Sequence, residues 1–440
     1  MKFLVIGGGA SEHAIADALI AGGAEVYAYM ATHNPGIIRS AKEYAIGRMD
    51  DTKTAVRFAK EKGIEITVIG PEAPLAAGMA DELESNGVKC VGPDREHARL
   101  ETSKGFTRRL LRKHNIDASP KFRIFEGNSV NEIKGFLEEL GSYVIKPDGL
   151  TGGKGVKISG EHLQSNEEAL SYCSEILKAH NAVIVEEKLE GEEFSLQTLT
   201  DGNSFLHFPI AQDHKRAFEN DTGANTGGMG SYSDADGKLP FLTAKDVEEA
   251  RRLTELAAEA IRKETGKPYK GVMYGGFMKT ATGIKLIEYN ARFGDPEAMN
   301  VLPILKTSFA EVCRAAAEGR LSGLKAEFER KATVCKYVVP EGYPENPQTG
   351  AITVPSYEKD GIRALVYYGS VEQKNGTIHT TKSRSVAFVG IADTIEEAEK
   401  TAEEGASKVK GKVYHRKDIG TKQLLQKRTE HMKMVMSKSR

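Results

Sequence analysis

Short apolar runs alternate with helical patterns over the first hundred residues. The first run, Phe3–Ile6, is continuous, as is typical of a strand buried on both faces of a sheet, and residues with helical periodicity separate the runs. The predicted strands are Phe3–Ile6, Val26–Met30, Ile66–Ile69 and Val88–Val91, and the predicted helices cover 12–20, 52–62 and 79–86. This order predicts an N-terminal doubly wound parallel sheet over residues 1–100, an α/β unit that binds ligands beyond the carboxyl ends of its strands.

The pattern becomes richer in strands after residue 100. Predicted strands cover 143–146, 183–187, 194–200, 205–210, 275–280 and 284–289, and predicted helices cover 103–114 and 244–264. Much of this pairing is expected to be antiparallel, so residues 101–326 are predicted to form a central α+β domain. Strand patterns return at 332–339, 363–368 and 385–391 before a helix over 394–409, which predicts a separate small β-rich domain over 327–426. The basic, methionine-rich tail, 427–440, is expected to fray.

Length, charge and cysteine content narrow the class of protein. A chain of 440 residues is long enough for about three domains. Its 61 Lys and Arg residues nearly balance 62 Asp and Glu residues, so the net charge favours neither nucleic acid nor a membrane as a partner. No apolar stretch reaches the length of a membrane span, and the four cysteines are scattered without a C-x-x-C pair. We therefore expect a cytoplasmic protein with reduced thiols.

A glycine turn over residues 7–9 joins the first strand to the first helix. Backbone amides at a helix N-terminus favour anions, so the turn is a candidate phosphate site, and a tight turn without a ligand is the alternative. NAD binding is a further alternative, but Glu12 replaces the third glycine of the dinucleotide fingerprint. An NAD enzyme would also carry an acid at the end of the second strand, where this chain has residues 30–33, Met-Ala-Thr-His.

A second glycine-rich segment covers residues 149–156. It differs from the Walker A motif in its spacing and in Val156, which stands where a magnesium-binding Ser or Thr would be. Its glycines and Lys154 are suited to close over phosphates, and a flexible hairpin is the alternative. Lys146, at the end of the preceding buried strand, favours the phosphate hypothesis because a buried lysine needs an anionic partner.

Acidic residues accompany two of the predicted strands. Glu186 and Glu193 lie on either side of a bend and are candidates for contacts with adenine and ribose. Glu288 and Asn290 are two residues apart on one strand, so their side chains share a face and are suited to share magnesium ions. A solvated face is the alternative, but the loop over 291–297 contains apolar and turn residues that a solvated face does not need.

Two polar segments, 212–216 and 221–230, lack hydrophobic periodicity. A glycine-rich loop of this length is commonly functional or disordered, and its polar residue types favour function. His214 is a candidate general base, but we assign it to binding because an amine nucleophile needs only orientation and desolvation.

Together these motifs resemble those of the ATP-grasp superfamily and, within it, the phosphoribosylamine–glycine ligases. The matching segments keep the family's order over residues 1–420: 7–13, 70–75, 100–104, 146–155, 212–216, 221–232, 288–297 and 416–420. The segments Gln-Asp-His-Lys-Arg, Asn-Thr-Gly-Gly-Met-Gly and Arg-Phe-Gly-Asp-Pro-Glu are specific to that family. The resemblance implies a pre-ATP-grasp N-terminal domain, a central ATP-grasp domain with a lid over about 120–190, and the small C-terminal domain.

The resemblance also implies a reaction, the ATP-dependent joining of glycine to 5-phosphoribosylamine through glycyl phosphate in purine biosynthesis. The implied cofactors are ATP and Mg²⁺ or Mn²⁺, and the implied assembly is a monomer or homodimer. No protein nucleophile is needed, because alignment and neutralisation of charge carry phosphoryl transfer.

The resemblance assigns a role to each candidate residue. Catalytic roles are expected for Arg292, on the developing oxyanion, and for Lys154. Nucleotide contacts are expected from Lys104, Lys146, Gly152, Gly153, Gly155, Glu186, Leu189 and Glu193. Contacts to the other substrates are expected from Gly9, Glu12, His13, Glu72, Asp213, His214, Lys215, Arg216, Gly294, Asp295, Pro296 and Glu297. Glu288 and Asn290 are expected to hold the metal, and Met278 stands where other ATP-grasp enzymes often carry a further acidic ligand.

Two other functions use the same central residues. Another ATP-dependent carboxylate–amine ligase, or a carboxylase, would keep Lys146, Glu288 and Asn290 but lack the motif at 213–216. A non-catalytic nucleotide sensor is the second alternative, and the intact pair Glu288 and Asn290 argues against it.

Overall fold

A computed structural model describes residues 1–127, 129–150, 152 and 155–438, with the side chains of 357 and 358 excepted. The N-terminal region forms one parallel five-stranded sheet in the order β3-β2-β1-β4-β5. Its elements are β1 Lys2–Ile6, α1 Ala10–Ala21, β2 Glu25–Met30, α2 Pro35–Ser40, β3 Glu43–Ile46, α3 Thr52–Lys62, β4 Ile66–Ile69, α4 Glu72–Ala77, α5 Met79–Ser85 and β5 Lys89–Val91. The predicted doubly wound sheet is confirmed, with α2 and the edge strand β3 in addition.

The central region contains two antiparallel sheets, ordered β6-β9-β7-β8 and β11-β10-β16-β17. A two-stranded ribbon, β13-β14, lies beside them. The elements up to the ribbon are α6 Arg99–Thr102, α7 Lys104–Lys113, β6 Phe122–Glu126, α8 Val130–Leu140, β7 Tyr143–Pro147, β8 Lys157–Ile158, α9 Asn166–Ala179, β9 Ala182–Glu187, β10 Gly191–Thr200, β11 Phe205–His207, β12 Gln212–Asp213, β13 Arg216–Phe218 and β14 Thr222–Asn225. They are followed by β15 Gly230–Ser233, α10 Ala244–Thr265, β16 Gly271–Thr280, β17 Gly283–Asn290, α11 Ala298–Val301 and α12 Phe309–Ala317, with 3₁₀ turns at Glu219–Asp221 and Leu321–Gly323.

The sheet β6-β9-β7-β8 and its two helices have a hydrophobic core of their own. Phe136 and Leu137 of α8 pack with Cys173 of α9 and with strand residues such as Ile145 and Val185. Because this core does not include residues of the neighbouring sheets, residues 122–187 form a distinct structural unit, which we call the small-sheet unit.

The C-terminal region shares its main sheet with the central region. Strands β12 and β15 extend the sheet in the order β12-β15-β18-β23-β20, with β24 beside β18. The remaining elements are β18 Ala332–Pro340, β19 Ala351–Ile352, α13 Tyr357–Asp360, β20 Leu365–Tyr368, β21 Val371–Lys374, β22 Thr377–Thr380, β23 Val386–Ala392, α14 Ile395–Ser407, β24 Val413–Tyr414 and α15 Lys422–Ser437. Strands β19, β22 and β21 form a further small sheet.

The prediction of a frayed tail from Lys427 onward is wrong as far as residue 437. Helix α15 continues to Ser437, begins with a hydrogen bond from the Leu424 amide to the Thr421 hydroxyl, and buries Leu424, Met432 and Val435. These apolar residues recur at intervals of three and eight, the spacing of one helix face, so burial outweighs the basic composition. Within the described ranges, no helix is both long and apolar enough to cross a membrane.

Candidate active site

One cavity of about 790 Å³ gathers residues of all three regions. It lies beyond the carboxyl ends of β1 and β4 and is walled by the small-sheet unit, by β16 and β17, and by a C-terminal turn at 382–384. The predicted site residues that line it are Glu12, Glu72, Lys104, Lys146, Gly152, Glu186, Leu189, Glu193, Asp213, His214, Lys215, Arg216, Glu288, Asn290, Arg292, Gly294, Asp295 and Glu297. Gly9, His13, Gly155 and Pro296 are not among the lining residues, and Gly153 and Lys154 lie outside the described residues.

A buried ion-pair network lies at the inner end of the cavity. The Nζ atom of Lys146, the penultimate residue of β7, is 2.7 Å from Oε2 of Glu186 on the adjacent strand β9. Arg108 of α7 approaches the same carboxylate from the other side, with Nε 2.6 Å from Oε1. Burial raises the pKa of Glu186, but the charges of Arg108 and Lys146 outweigh it and bring the pKa to about 2. The predicted anionic partner of Lys146 is therefore first of all a protein carboxylate.

This network also fixes the strand that carries the predicted metal ligands. Arg108 donates hydrogen bonds to the carbonyl oxygens of Leu286 and Ile287, at 3.0 and 2.8 Å, and Lys146 lies 3.3 Å from the Ile287 carbonyl. Glu288 is the next residue of β17. Lys146 is thus held at the cavity wall, in contact with the residue that precedes Glu288.

Glu288 and Asn290 lie two residues apart on β17 and both line the cavity. Among the described residues, neither side chain has a hydrogen bond or an ion pair within bonding distance. Burial raises the pKa of Glu288, but the surrounding cations, led by Lys215 and Lys104, hold it below its usual range. A charged carboxylate and an amide oxygen, both unpaired and on one face, match the oxygen ligands of a divalent cation.

The metal site is incomplete with protein side chains alone. The described part of the chain contains no group of three or more His, Cys, Asp and Glu residues arranged to hold a metal ion. Met278 borders the cavity on β16 and offers no hard oxygen ligand. A divalent cation here would therefore complete its coordination with phosphate and water oxygens, as Mg²⁺ does in nucleotide sites.

The glycine turn at the start of α1 is filled by a side chain of the helix itself. The Gly9 amide donates a hydrogen bond of 2.6 Å to Oε2 of Glu12, and the Ser11 hydroxyl donates to Oε1 at 2.8 Å. A Cβ atom at Gly70 would lie 2.3 Å from Cγ of Glu12, so Gly70 leaves room for this carboxylate. Since Glu12 occupies the anion position at the helix N-terminus, the Gly9 amide is not free for a substrate phosphate.

Arg292 follows β17 and faces two acids, the buried Glu101 and the partly exposed Glu72. Its Nη2 atom lies 3.3 Å from Glu101 and its Nε atom 3.7 Å from Glu72. Glu101 also accepts a hydrogen bond of 2.8 Å from the Ala291 amide, which anchors the start of the loop. Burial raises the pKa of Glu101 despite the nearby guanidinium. Arg292 therefore carries a positive charge at the junction of the N-terminal and central regions.

The motif at 212–216 combines one acid, Asp213, with the cations Lys215 and Arg216. Lys215 lies 3.4 Å from Glu193 through its Nζ atom, and this carboxylate raises the pKa of the lysine. Burial and the charge of Glu297 raise the pKa of Asp213 well above its usual range. Arg216 is held by Glu161 of the small-sheet unit and by the Gly223 carbonyl at 2.9 Å.

His214 is buried, and neither ring nitrogen has a hydrogen-bond partner among the described residues. Burial lowers its pKa well below the usual value, so the ring is neutral. The ring packs against Tyr232 at a centroid distance of 5.7 Å. His214 borders the cavity, but its imidazole is packed in the protein interior. Its predicted role in binding stays a prediction.

His13 and Asp295 each join the C-terminal region to the rest. Nδ1 of His13 accepts a hydrogen bond of 3.0 Å from the Tyr368 amide, and its ring stacks on the Tyr368 ring. Oδ1 of Asp295 accepts a hydrogen bond of 2.6 Å from the Tyr337 hydroxyl, and Oδ2 pairs with Arg384 at 2.8 Å. Of the two, only Asp295 lines the cavity.

Sequence reasoning did not identify four side chains that hold this site together. Arg108 stands within the predicted basic helix, where nothing distinguishes it from the exposed Arg109 and Arg112. Gln197, which accepts a hydrogen bond of 2.8 Å from the Gly294 amide, is the one side-chain amide on β10, and this is a weak signal because the strand carries other polar residues. Glu101 and Arg384 stand in polar segments without any comparable signal.

Models of one protein family match all three regions of the chain. The Phosphoribosylglycinamide synthetase N domain matches residues 1–101, the ATP-grasp (A) domain 102–298 and the C domain 333–422. A phosphoribosylamine–glycine ligase of Methanocella arvoryzae is 48% identical over 441 residues, covering 99% of this chain and all of the relative. One of Methanobrevibacter smithii is 49% identical over 443 residues, covering 99% of this chain and all of that protein.

Solved structures agree with these matches. The crystal structure of a phosphoribosylamine–glycine ligase from Thermotoga maritima has a TM-score of 0.79 and 29% identity, covering 95% of this chain and all of the other. The biotin carboxylase domain of Hydrogenobacter thermophilus 2-oxoglutarate carboxylase has a TM-score of 0.72 at 19% identity, covering 94% of this chain and 91% of that one, and shares the fold. The chain belongs to the phosphoribosylglycinamide synthetase family of ATP-grasp ligases, as the order of its three matched domains and its full-length relatives indicate.

Proposed function

We propose that the cavity carries out the reaction of the family, the ATP-dependent joining of glycine to 5-phosphoribosylamine in purine biosynthesis. The carboxylate of glycine attacks the γ-phosphate of ATP, which gives glycyl phosphate and ADP. The amine of phosphoribosylamine then attacks the glycyl carbonyl carbon, loses a proton, and displaces inorganic phosphate. Both steps need aligned reactants and balanced charge, not a protein nucleophile.

The observation that supports this proposal best is the pair Glu288 and Asn290, whose side chains have no bonding partner among the described residues and lie in a cavity lined with cations. Lys104 and Lys146 border the same wall, where we assign them to the ATP phosphates. Arg292, on the loop that follows Asn290, is assigned to the oxygen that gains charge when the glycyl carbonyl is attacked. The segment with Lys154 lies outside the described residues, and its closure over the phosphates stays a prediction.

The remaining lining residues are assigned to the nucleoside and to the sugar phosphate. Glu193 is assigned to the ribose hydroxyls of ATP, and the backbone near Leu189 with the buried Glu186 to adenine. The sugar phosphate is assigned to the space between Glu72, the cations Lys215 and Arg216, and the loop 294–297. Because Glu12 fills the glycine turn, we assign the turn to a polar group of the sugar in place of the phosphate.

The metal is proposed to be Mg²⁺ or Mn²⁺, since both prefer oxygen ligands. Glu288 and Asn290 would hold it, and it would supply charge neutralisation for phosphoryl transfer. Glu288→Gln removes the ligand charge but keeps the shape, so we expect turnover to fall by about a thousandfold or more in a protein that still folds. Near-normal turnover of this variant at saturating magnesium would contradict the assignment.

The proposed function is tested by measuring ADP release from magnesium-ATP. Glycine is supplied with or without phosphoribosylamine generated in situ from ribose 5-phosphate and ammonia. Release that requires both substrates supports the ligase. Release with bicarbonate in place of glycine, or with another amine in place of phosphoribosylamine, would keep the nucleotide site and overturn the substrates.

Two further properties are proposed without a structural test. The chain is expected to act as a monomer or homodimer, which sedimentation velocity distinguishes. A cytoplasmic location is consistent with four cysteines that are all free and buried.

A further inference from the structure

Helix α15 lies beyond the last matched domain of the family. The C-domain match ends at residue 422, and α15 covers Lys422–Ser437. The helix packs against β10, the strand whose first residues border the cavity. Apolar burial alone does not account for the polar side chains of this helix.

Arg428 joins α15 to two acidic residues from separate segments. Its Nη2 atom donates a hydrogen bond of 2.6 Å to Oδ2 of Asp221, and its Nε atom lies 3.5 Å from Oε2 of Glu192. His431, one turn further along, places Nδ1 2.6 Å from the other oxygen of Glu192. The Arg428 side chain is 17% exposed and that of Glu192 only 4%, so little solvent screens the pair.

Glu192 is connected through hydrogen bonds to Glu193, the proposed ribose contact. It precedes Glu193 on β10, and Gln212 lies within hydrogen-bond distance of both residues: Nε2 is 3.3 Å from the Glu192 carboxylate and 2.9 Å from the Glu193 carbonyl. The Tyr232 hydroxyl fixes Gln212 by a hydrogen bond of 2.5 Å to Oε1. The backbone at Glu193 therefore depends on a chain of contacts that ends at Arg428.

Asp221 is connected through Arg416 to a second cavity residue, Arg216. Arg416, fully buried, lies 3.2 Å from Oδ1 of Asp221 and donates a hydrogen bond of 3.1 Å to the carbonyl of Arg216. One guanidinium on α15 thus stabilises the strand ends that present both Glu193 and Arg216.

We propose that Arg428 is a positioning residue for nucleotide binding, acting through Glu192 and Asp221. This inference rests on the proposed function only in that Glu193 is taken to contact the ribose of ATP. The groups assigned to the chemistry, Glu288 and Arg292, have no bond to this network among the described residues, so the effect falls on binding and not on the chemical step.

The test is the full-length Arg428→Gln variant. We expect its affinity for ADP, measured by calorimetry without the other substrates, to fall about tenfold, and its KM for ATP to rise by a similar factor with kcat changed less than about twofold. Lys433→Gln is the matched control, because Lys433 is an exposed cation on the same helix. It should bind ADP as the wild type does.

A second variant, Glu192→Gln, tests whether Arg428 acts through Glu192. If Arg428 acts through Glu192, the effects of Arg428→Gln and Glu192→Gln on ADP affinity should combine to less than their product. If Arg428→Gln does not fold, Arg428→Lys is used in its place. It keeps the charge, but an ammonium group cannot contact Asp221 and Glu192 as the guanidinium does, so its ADP affinity should still fall measurably.

The inference is overturned if Arg428→Gln melts at a lower temperature but binds ADP like the wild type, or if Arg428→Lys folds and binds normally. Failure of the proposed function is a separate result, since it appears as wild-type protein that binds ADP but forms no ADP from ATP when glycine and phosphoribosylamine are supplied.

Discussion

Glu12 is the residue whose sequence interpretation changes most in the structure. Its carboxylate is 5% exposed and accepts hydrogen bonds from the Gly9 amide and the Ser11 hydroxyl. Burial is the main cause that raises its pKa to about 7, and the nearby Asp295 adds to it. An acid with this pKa is half protonated near neutral pH, so its charge costs free energy of folding in alkaline solution.

Glu12→Gln is therefore expected to stabilise the protein above pH 7. A carboxyl group whose pKa is higher in the folded than in the unfolded state lowers stability as pH rises from about 4.5 to about 7, because the folded state then binds more protons. At pH 8 the variant should gain about 1–3 kcal/mol in the free energy of unfolding, measured by urea denaturation. At pH 4.5 the gain should vanish, and an equal gain at both pH values would contradict the raised pKa.

At the scale of elements, α7 connects the small-sheet unit to the sheet that carries Glu288. Arg108 supplies the connection, because its guanidinium bonds Glu186 of β9 and two carbonyl oxygens of β17. Its side chain is 3% exposed, as is that of Glu186. A buried carboxylate that loses one of two cationic partners costs much more than an exposed ion pair.

Arg108→Met should lower the free energy of unfolding by about 2–4 kcal/mol, as measured by urea denaturation. Arg109→Met is the matched control, since the neighbouring arginine is 48% exposed and pairs with an exposed Glu126. The control should change stability by less than about 0.5 kcal/mol. Equal effects of the two variants would show that Lys146 alone suffices for Glu186.

The elements show how far sequence patterns reach. The strands of the parallel sheet were predictable, because β1 and β4 are continuous apolar runs that end at glycine. The edge strand β3 was not, since its apolar run is only three residues long, Tyr44 to Ile46, and is largely exposed. Helix α15 was not either, because its basic residues conceal the three buried apolar side chains of one face.

The candidate site shows the same division. Glycine-rich loops and paired oxygen ligands such as Glu288 and Asn290 can be recognised because spacing along one segment determines their geometry. The Arg108–Glu186 and Arg384–Asp295 pairs join residues 78 and 89 positions apart, so only the folded chain brings them together. Local patterns therefore indicate candidate ligands, whereas the residues that position them become recognisable only in the folded chain.

At the scale of the whole molecule, the C-terminal region belongs to the site. Strands β15 and β18 pair across the predicted domain boundary, with Gly230 opposite Lys336. Arg384, on the turn before β23, reaches the cavity and donates hydrogen bonds to the carbonyls of Gly227, Gly228 and Asp295, at 2.7, 3.0 and 3.0 Å. The loop assigned to the sugar phosphate is therefore held by a residue about ninety positions away.

Arg384→Gln should weaken both the fold and the use of the sugar substrate. We expect a loss of about 2–4 kcal/mol in the free energy of unfolding and a KM for phosphoribosylamine raised about tenfold, because Asp295 loses the cation that holds it. Tyr337→Phe removes a single neutral hydrogen-bond donor to the same carboxylate, so it should cost only about 1 kcal/mol in the free energy of unfolding.

ADP affinity should stay at the wild-type value in both variants, since neither residue bonds the nucleotide wall formed by Lys146 and Glu186. A tenfold loss of ADP affinity in Arg384→Gln would instead mean that the C-terminal turn controls the whole cavity and not the sugar loop alone.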